Sequence, residues 1–200
     1  MTPILGIMAS GMSGNLWAPG KDFDSIATTT VGAGGSSSIS FTSIPSTYKH
    51  LQIRYLAKTN RATYGVDDAF ITLNSDVTGA NYYSHWMYGN GSSALATYGV
   101  GNGGGGQGIF WGFAFSTTQI SPTGFAGGVI DVLDYANTNK NKTLRGLMSF
   151  DANGGTAGGY GGTITFASGA WFSTAATTNI TIKSNGNFQE YSQFALYGVK

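Results

Sequence analysis

The stretch YKHLQIRYLAK, residues 48–58, alternates in character from Leu51 to Tyr55. Leu51, Ile53, Tyr55 and Ala57 fall on one face, with Gln52, Arg54 and Lys58 on the other. A period of two is that of a half-buried strand, because successive side chains of an extended backbone point to opposite sides. The same rhythm recurs in both directions along the chain. Ile39 and Phe41 alternate with serine and threonine ahead of Pro45, Ile180 and Ile182 alternate with Thr181 and Lys183, and Phe194, Leu196 and Gly198 share a face. Further strands are expected near 24–31, 67–74, 81–88, 109–116, 128–135, 142–150, 161–167 and 169–174. Runs rich in glycine and asparagine separate them, at 32–35, 60–65, 74–79, 89–91, 137–141, 154–162 and 185–187. Helical periodicity is nearly absent. About ten short strands predict an all-β fold, an antiparallel β-sandwich with jelly roll the leading topology and a meander barrel the alternative.

Composition narrows the function classes. Glycine supplies 32 of 200 residues, whereas charged residues make up only 10% and the net charge is +1. The basic residues are scattered, with Lys140, Lys142 and Arg145 the densest group, so no track exists to neutralise a row of phosphates. Nucleic acid is therefore not an expected partner. Cysteine is absent, which removes disulfides and thiolate metal sites. No apolar run approaches membrane-spanning length, so membrane insertion is not expected.

The first seventeen residues stand apart. Ile4, Leu5, Ile7, Met8, Leu16 and Trp17 are set among glycine and serine, and the first charge is Lys21. The segment is too glycine-broken for an amphipathic helix and lacks the basic start of a secretory signal. An oily, flexible arm of this kind is expected to lie on a protein surface. Residues 1–22 thus read as an extended N-terminal anchoring arm, and 23–200 as one sandwich domain without a visible internal boundary.

Reactive constellations are scarce. Gly101, Gly103 and Gly106 satisfy G-x-G-x-x-G, but the tract leads into Ile109, Phe110 and Trp111, a strand pattern and not the helix whose N-terminus would hold a pyrophosphate. Backbone groups in such a loop approach a ligand closely, so Gly103, Gly105 and Gln107, with Tyr160 in the second glycine-rich loop, are candidate receptor-facing positions. The two histidines, His50 and His85, fall inside expected strands with no nucleophile or acid at a telling spacing. Asp67 and Asp68, with Asp76 close by, are the nearest approach to a carboxylate pair for glycoside cleavage or calcium, although Asn74, Asp76 and Gly79 are also turn residues. The aromatic runs 82–88 and 109–115 suit a core or an interface between subunits. No catalytic residue, cofactor or metal ligand is assigned.

Three stretches resemble a family of small virion proteins of tailed bacteriophages: MTPILGIMASGMSGNLW at the start, DSIATTTVGAGGSSSISFTSIPSTYKHLQIRYLAK over 24–58, and FALYGVK at 194–200. The resemblance implies a non-catalytic structural protein on the virion surface, in contact with other capsid or tail proteins through its arm. It implies a place more than a role. The compact length favours capsid decoration first, and the glycine tracts a tail-fibre or tail-tip adhesin for a host-surface glycan or protein second. A glycan-depolymerising enzyme is the rival from another class, disfavoured by the lack of glutamate pairs. Such modules are usually homotrimers, which makes a homotrimer the expected assembly.

Overall fold

The computed structural model describes residues 22–62, 65–100, 113–116, 124–151 and 162–200, with residues 100 and 113–116 described by their backbone alone. Twelve strands follow in chain order: β1 (Phe23–Thr30), β2 (Ser36–Phe41), β3 (His50–Thr59), β4 (Val66–Leu73), β5 (Tyr82–Gly89), β6 (Ala94–Val100), β7 (Phe113–Ser116), β8 (Ala126–Leu133), β9 (Lys142–Asp151), β10 (Gly162–Trp171), β11 (Ile180–Phe188) and β12 (Gln193–Val199). A single 3-10 turn, Gly79–Asn81, is the only helical element among the described residues.

The long sheet runs β1-β12-β3-β8-β9-β10-β5-β6, antiparallel throughout. The short sheet runs β2-β11-β4-β7. β3 crosses between them: its last residues, Lys58 and Thr59, pair in parallel with Phe115 and Ser116 of β7. Chain neighbours β1 and β2, β3 and β4, β7 and β8, and β11 and β12 each step from one sheet to the other. Four strands interleaved this way on each side are two Greek keys, which is the jelly roll and not a meander barrel. Two further hairpins are inserted. β5–β6 lies between β4 and β7 in the chain, β9–β10 between β8 and β11, and they meet through the β10–β5 ladder. Together they lengthen one sheet by a four-stranded wing.

One continuous apolar cluster fills the sandwich and reaches under the wing through Trp86, Ala167 and Trp171. The alternation over 48–58 sets its centre, since Leu51 and Ile53 are wholly buried and oppose Ile71, Leu73, Ile180 and Leu196, equally buried on other strands. Each such side chain contributes about 1.5–3 kcal/mol on burial. Packing is close enough that Gly128 is required. A Cβ there would lie 2.5 Å from the Tyr55 ring, and that ring stacks on Phe194 with centroids 5.8 Å apart.

Two expectations about strands are corrected. The segments 161–167 and 169–174 form one strand, β10, because alternation passes unbroken through Ser168 and Gly169 and both pair with β5. Gly162, expected in a turn, opens that strand opposite Asp151. Residues 94–100, which carry no clear alternation, form the unexpected strand β6.

Candidate functional site

The registers of the wing place one residue from each strand in line. Val129 of β8 is opposite Leu147 of β9, Leu147 opposite Phe166 of β10, Phe166 opposite Met87 of β5, and Met87 opposite Ala96 of β6. Their chain neighbours Ile130, Met148, Ala167 and Trp86 are buried, so this apolar rung faces away from the core. Phe166 is 53% exposed and Leu147 44% exposed. On one side the rung is extended by Leu56 and Ile164, which bracket Gly127 and Ser149 in the next row. The methyls of Leu56 lie over Gly127, where an added Cβ would meet them at 3.5 Å.

The row on the other side is polar: Gln52, Asp131, Arg145, Ser168, His85 and Tyr98, again one per strand. Between the two rows lies a shallow groove of about 760 Å³, floored by Val129, Leu147, Phe166 and Met87 and edged by Asp131, Arg145, Ser168 and His85. Charges along this edge compensate one another. Asp131 accepts hydrogen bonds from Gln52 Nε2 at 2.9 Å and from Arg145 Nε at 2.9 Å. Arg54 Nε donates to Gln52 Oε1 at 2.7 Å, and its guanidinium sits 4.8 Å from the Tyr197 ring centre and 5.1 Å from that of Phe23. Tyr83, His85 and Tyr98 gather at the far end, with ring centres 4.9–5.9 Å apart. A neutral, apolar and shallow surface of this kind is suited to contact by area and shape.

The arm residues Ile4, Leu5, Ile7, Met8, Leu16 and Trp17 lie outside the described residues, as do Gly103, Gly105, Gln107 and Tyr160. The remaining candidates occupy separate places. Asp67, wholly buried at the start of β4, accepts from Thr59 Oγ1 (2.7 Å), Arg61 Nη1 (3.1 Å) and the Gly186 backbone N–H (2.9 Å). It staples β3, β4 and β11 together. Burial raises the pKa of neighbouring Asp68 above the ordinary carboxylate value against the pull of Arg61.

Asp76 stands past the other end of β4, in the turn the sequence suggests, with Asn74 and Ser75 at φ 51° and 58°. Its carboxylate accepts from Trp171 Nε1 (2.7 Å), Asn81 Nδ2 (2.8 Å) and the Thr78 backbone N–H (2.9 Å). Burial pushes its pKa up, but these hydrogen bonds prevail and set it at about 2. Asp67–Asp68 and Asp76 therefore serve different joints and form no pair.

His50 does meet an acid, far away in sequence. Its Nδ1 accepts the Asp134 backbone N–H at 2.9 Å and lies 3.5 Å from Asp134 Oδ1. That bond leaves the ring proton on Nε2 and makes the histidine a clamp on the turn after β8. Lys140 pairs with the Asp134 carboxylate, and Tyr135 donates its hydroxyl proton to the Pro45 carbonyl. Beside them the buried Lys142 ammonium donates to the carbonyls of Asn137 (2.6 Å), Lys140 (2.9 Å) and Thr174 (3.2 Å). Desolvation lowers its pKa from the usual lysine value. Among the described residues no three metal-ligating side chains stand together, and no helix is long and apolar enough to cross a membrane.

The apolar rung is not visible in the sequence because its members belong to five strands whose registers are not written in any one segment. No family model matches this chain, and no curated protein matches it. Among solved structures, a fructofuranosidase variant of Schwanniomyces occidentalis complexed with fructosylnystose is similar at 9% identity and a TM-score of 0.21. The match covers 90% of this chain and 33% of that one, so the chain spans about a third of the enzyme's length.

Proposed function

We propose that this chain is a non-catalytic structural protein of a bacteriophage particle, attached by residues 1–22 and displaying its jelly roll on the virion surface. The observation that carries the reading is the open face of the wing: an exposed apolar surface that is shallow, electrically balanced and suited to contact. The resemblance of residues 1–17, 24–58 and 194–200 to phage virion proteins supplies the setting. Decoration of the capsid is the first role, in which many copies bridge neighbouring capsid subunits. A tail-tip adhesin is the second, favoured by the glycine-rich loops around Gly103 and Tyr160.

The test is a particle-binding experiment with the full chain and with a chain lacking residues 2–17. The full chain is expected on purified particles, and the shortened one is expected to stay folded by circular dichroism yet be absent from them. Normal occupancy by the shortened chain would overturn the anchoring role. Copy number per particle separates the two placements, high for decoration and low for a tail tip. Release of reducing ends from host envelope glycans by the pure protein would overturn the non-catalytic reading.

A further inference from the structure

We propose that Asn90, in the turn between β5 and β6, is a site of spontaneous covalent modification, in which the backbone nitrogen of Gly91 closes on the Asn90 side chain and expels ammonia. The proposal is independent of where the protein is displayed.

Four asparagines of this chain are followed by glycine: Asn90, Asn102, Asn153 and Asn185. Glycine has no Cβ to obstruct a ring that closes on its nitrogen, which makes this the most reactive setting for an asparagine amide. Asn102 and Asn153 lie outside the described residues. Asn90 and Asn185 share one local chemistry and differ in what the fold places around it.

At Asn90 the reacting groups are open. Its Oδ1 accepts hydrogen bonds from the Ser92 N–H (3.1 Å), the Ser92 hydroxyl (3.0 Å), the Ser93 N–H (2.9 Å) and the Ser93 hydroxyl (3.3 Å). Four donors on one carbonyl oxygen draw electron density from Cγ, and they already stand where negative charge develops on attack. Gly91 is exposed, with no atom within 4 Å of the place a Cβ would take. Neither its N–H nor the Asn90 Nδ2 donates a hydrogen bond among the described residues.

At Asn185 the same groups are held. Nδ2 donates to Asp67 Oδ1 (3.1 Å) and Asp68 Oδ2 (3.3 Å), and the Gly186 N–H donates to Asp67 Oδ2 (2.9 Å). The nitrogen that would attack has its proton fixed by a carboxylate whose charge opposes losing it. The amide that would leave is tied to β4. Asn185 is the more exposed of the two asparagines, so access to water alone would rank them in the opposite order.

The atoms balance with water as the one co-reactant. Hydroxide takes the Gly91 amide proton, the nitrogen bonds to Cγ, the Cγ–Nδ2 bond breaks, and ammonia leaves with a proton from water. Water then opens the five-membered imide at either carbonyl. The product is aspartate or, with the backbone rerouted through the side chain, isoaspartate. Each event adds one negative charge to a chain of net charge +1. Isoaspartate also puts an extra backbone atom beside the Gly89–Ala94 pair, which joins β6 to β5, its one strand partner among the described residues.

The experiment holds the full chain for days in warm, mildly alkaline buffer, folded in one sample and unfolded by urea in another. Chymotryptic cleavage after Tyr88 and Tyr98 isolates Asn90 from the other Asn-Gly pairs, and cleavage after Phe172 and Phe188 isolates Asn185 from them. Tandem mass spectrometry reads conversion at each position, and an isoaspartyl methyltransferase counts isoaspartate. In urea the two asparagines are expected to convert at comparable rates. In the fold Asn90 is expected to keep that rate or exceed it, while Asn185 slows by about tenfold or more. The Ser92→Ala/Ser93→Ala double variant loses two of the four donors, and its Asn90 is expected to convert more slowly than in wild type. Equal rates at Asn90 and Asn185 in the folded chain would overturn the proposal, as would a folded double variant whose Asn90 converts as fast as in wild type. If the double variant does not fold by circular dichroism, the comparison of folded and unfolded wild type decides alone.

Discussion

The two halves of the long sheet obey different rules. Over β12 and β3 the outer face carries Gln52 and Arg54, with Tyr197 turned into an aromatic seat for the guanidinium. That is the ordinary division of an antiparallel sheet, apolar towards the core and polar towards water. From β8 outward the outer face also carries an apolar rung beside its polar row: Met148 and Ala167 are buried inside, while Leu147 and Phe166 stand half in solvent. Folding explains the first half completely, because its inner face is covered by the short sheet. It does not explain the second. Apolar side chains on a face that folding leaves open are what the proposed contact would cover.

The contrast is best tested where the sandwich itself is held. Phe188→Ala, at a ring packed edge-on against Phe194 at 4.9 Å, is expected to cost about 3–5 kcal/mol in chemical denaturation. At the junction between the halves, Gly128→Ala is expected to cost about 1–3 kcal/mol, because the new methyl must displace the Tyr55 ring.

A smaller effect comes with acid. The pKa of Asp76 falls from 3.8 in the ordinary state to about 2 in the fold. A group depressed in this way contributes fully above its unfolded value and loses its contribution as pH drops through the folded value. Thermal midpoints are therefore expected to decline between about pH 4 and pH 2, and less steeply in Asp76→Asn, which starts from lower stability. Smallest of all is the wing's outer face. Phe166→Ser is expected to change the stability of the chain in chemical denaturation by less than about 0.5 kcal/mol. A large stability loss there would erase the distinction between the halves.

The alternation at 48–58, 180–183 and 194–198 is enough to find the central strands and their buried faces, since one-sided burial prints itself on neighbouring residues. Strand β6 is hidden because Ala94, Ala96 and Gly99 give no contrast between faces. Ser168–Gly169 imitates a turn for want of a bulky side chain. The outward apolar rung is hidden for a different reason. In β9 and β10 the apolar residues Leu147, Met148, Ile164 and Ala167 occur on both sides, so the sequence shows apolarity without saying which part of it faces out. The clamp between His50 and Asp134 joins residues 84 positions apart and depends on the β3–β8 ladder. Only pairing reveals it.

The place of β12 carries one more consequence. It lies between β1 and β3, bonding Phe23 to Val199 and Leu56 to Gln193 at its two margins. A ribosome must therefore deliver residues 193–199 before the earliest strand has anything to close upon. Until then the nascent polypeptide holds its oily strands unsatisfied, and folding driven by such distant partners belongs to the slow, millisecond-to-second class. Synthesis, when the first strand waits on the last, is where this architecture stands open.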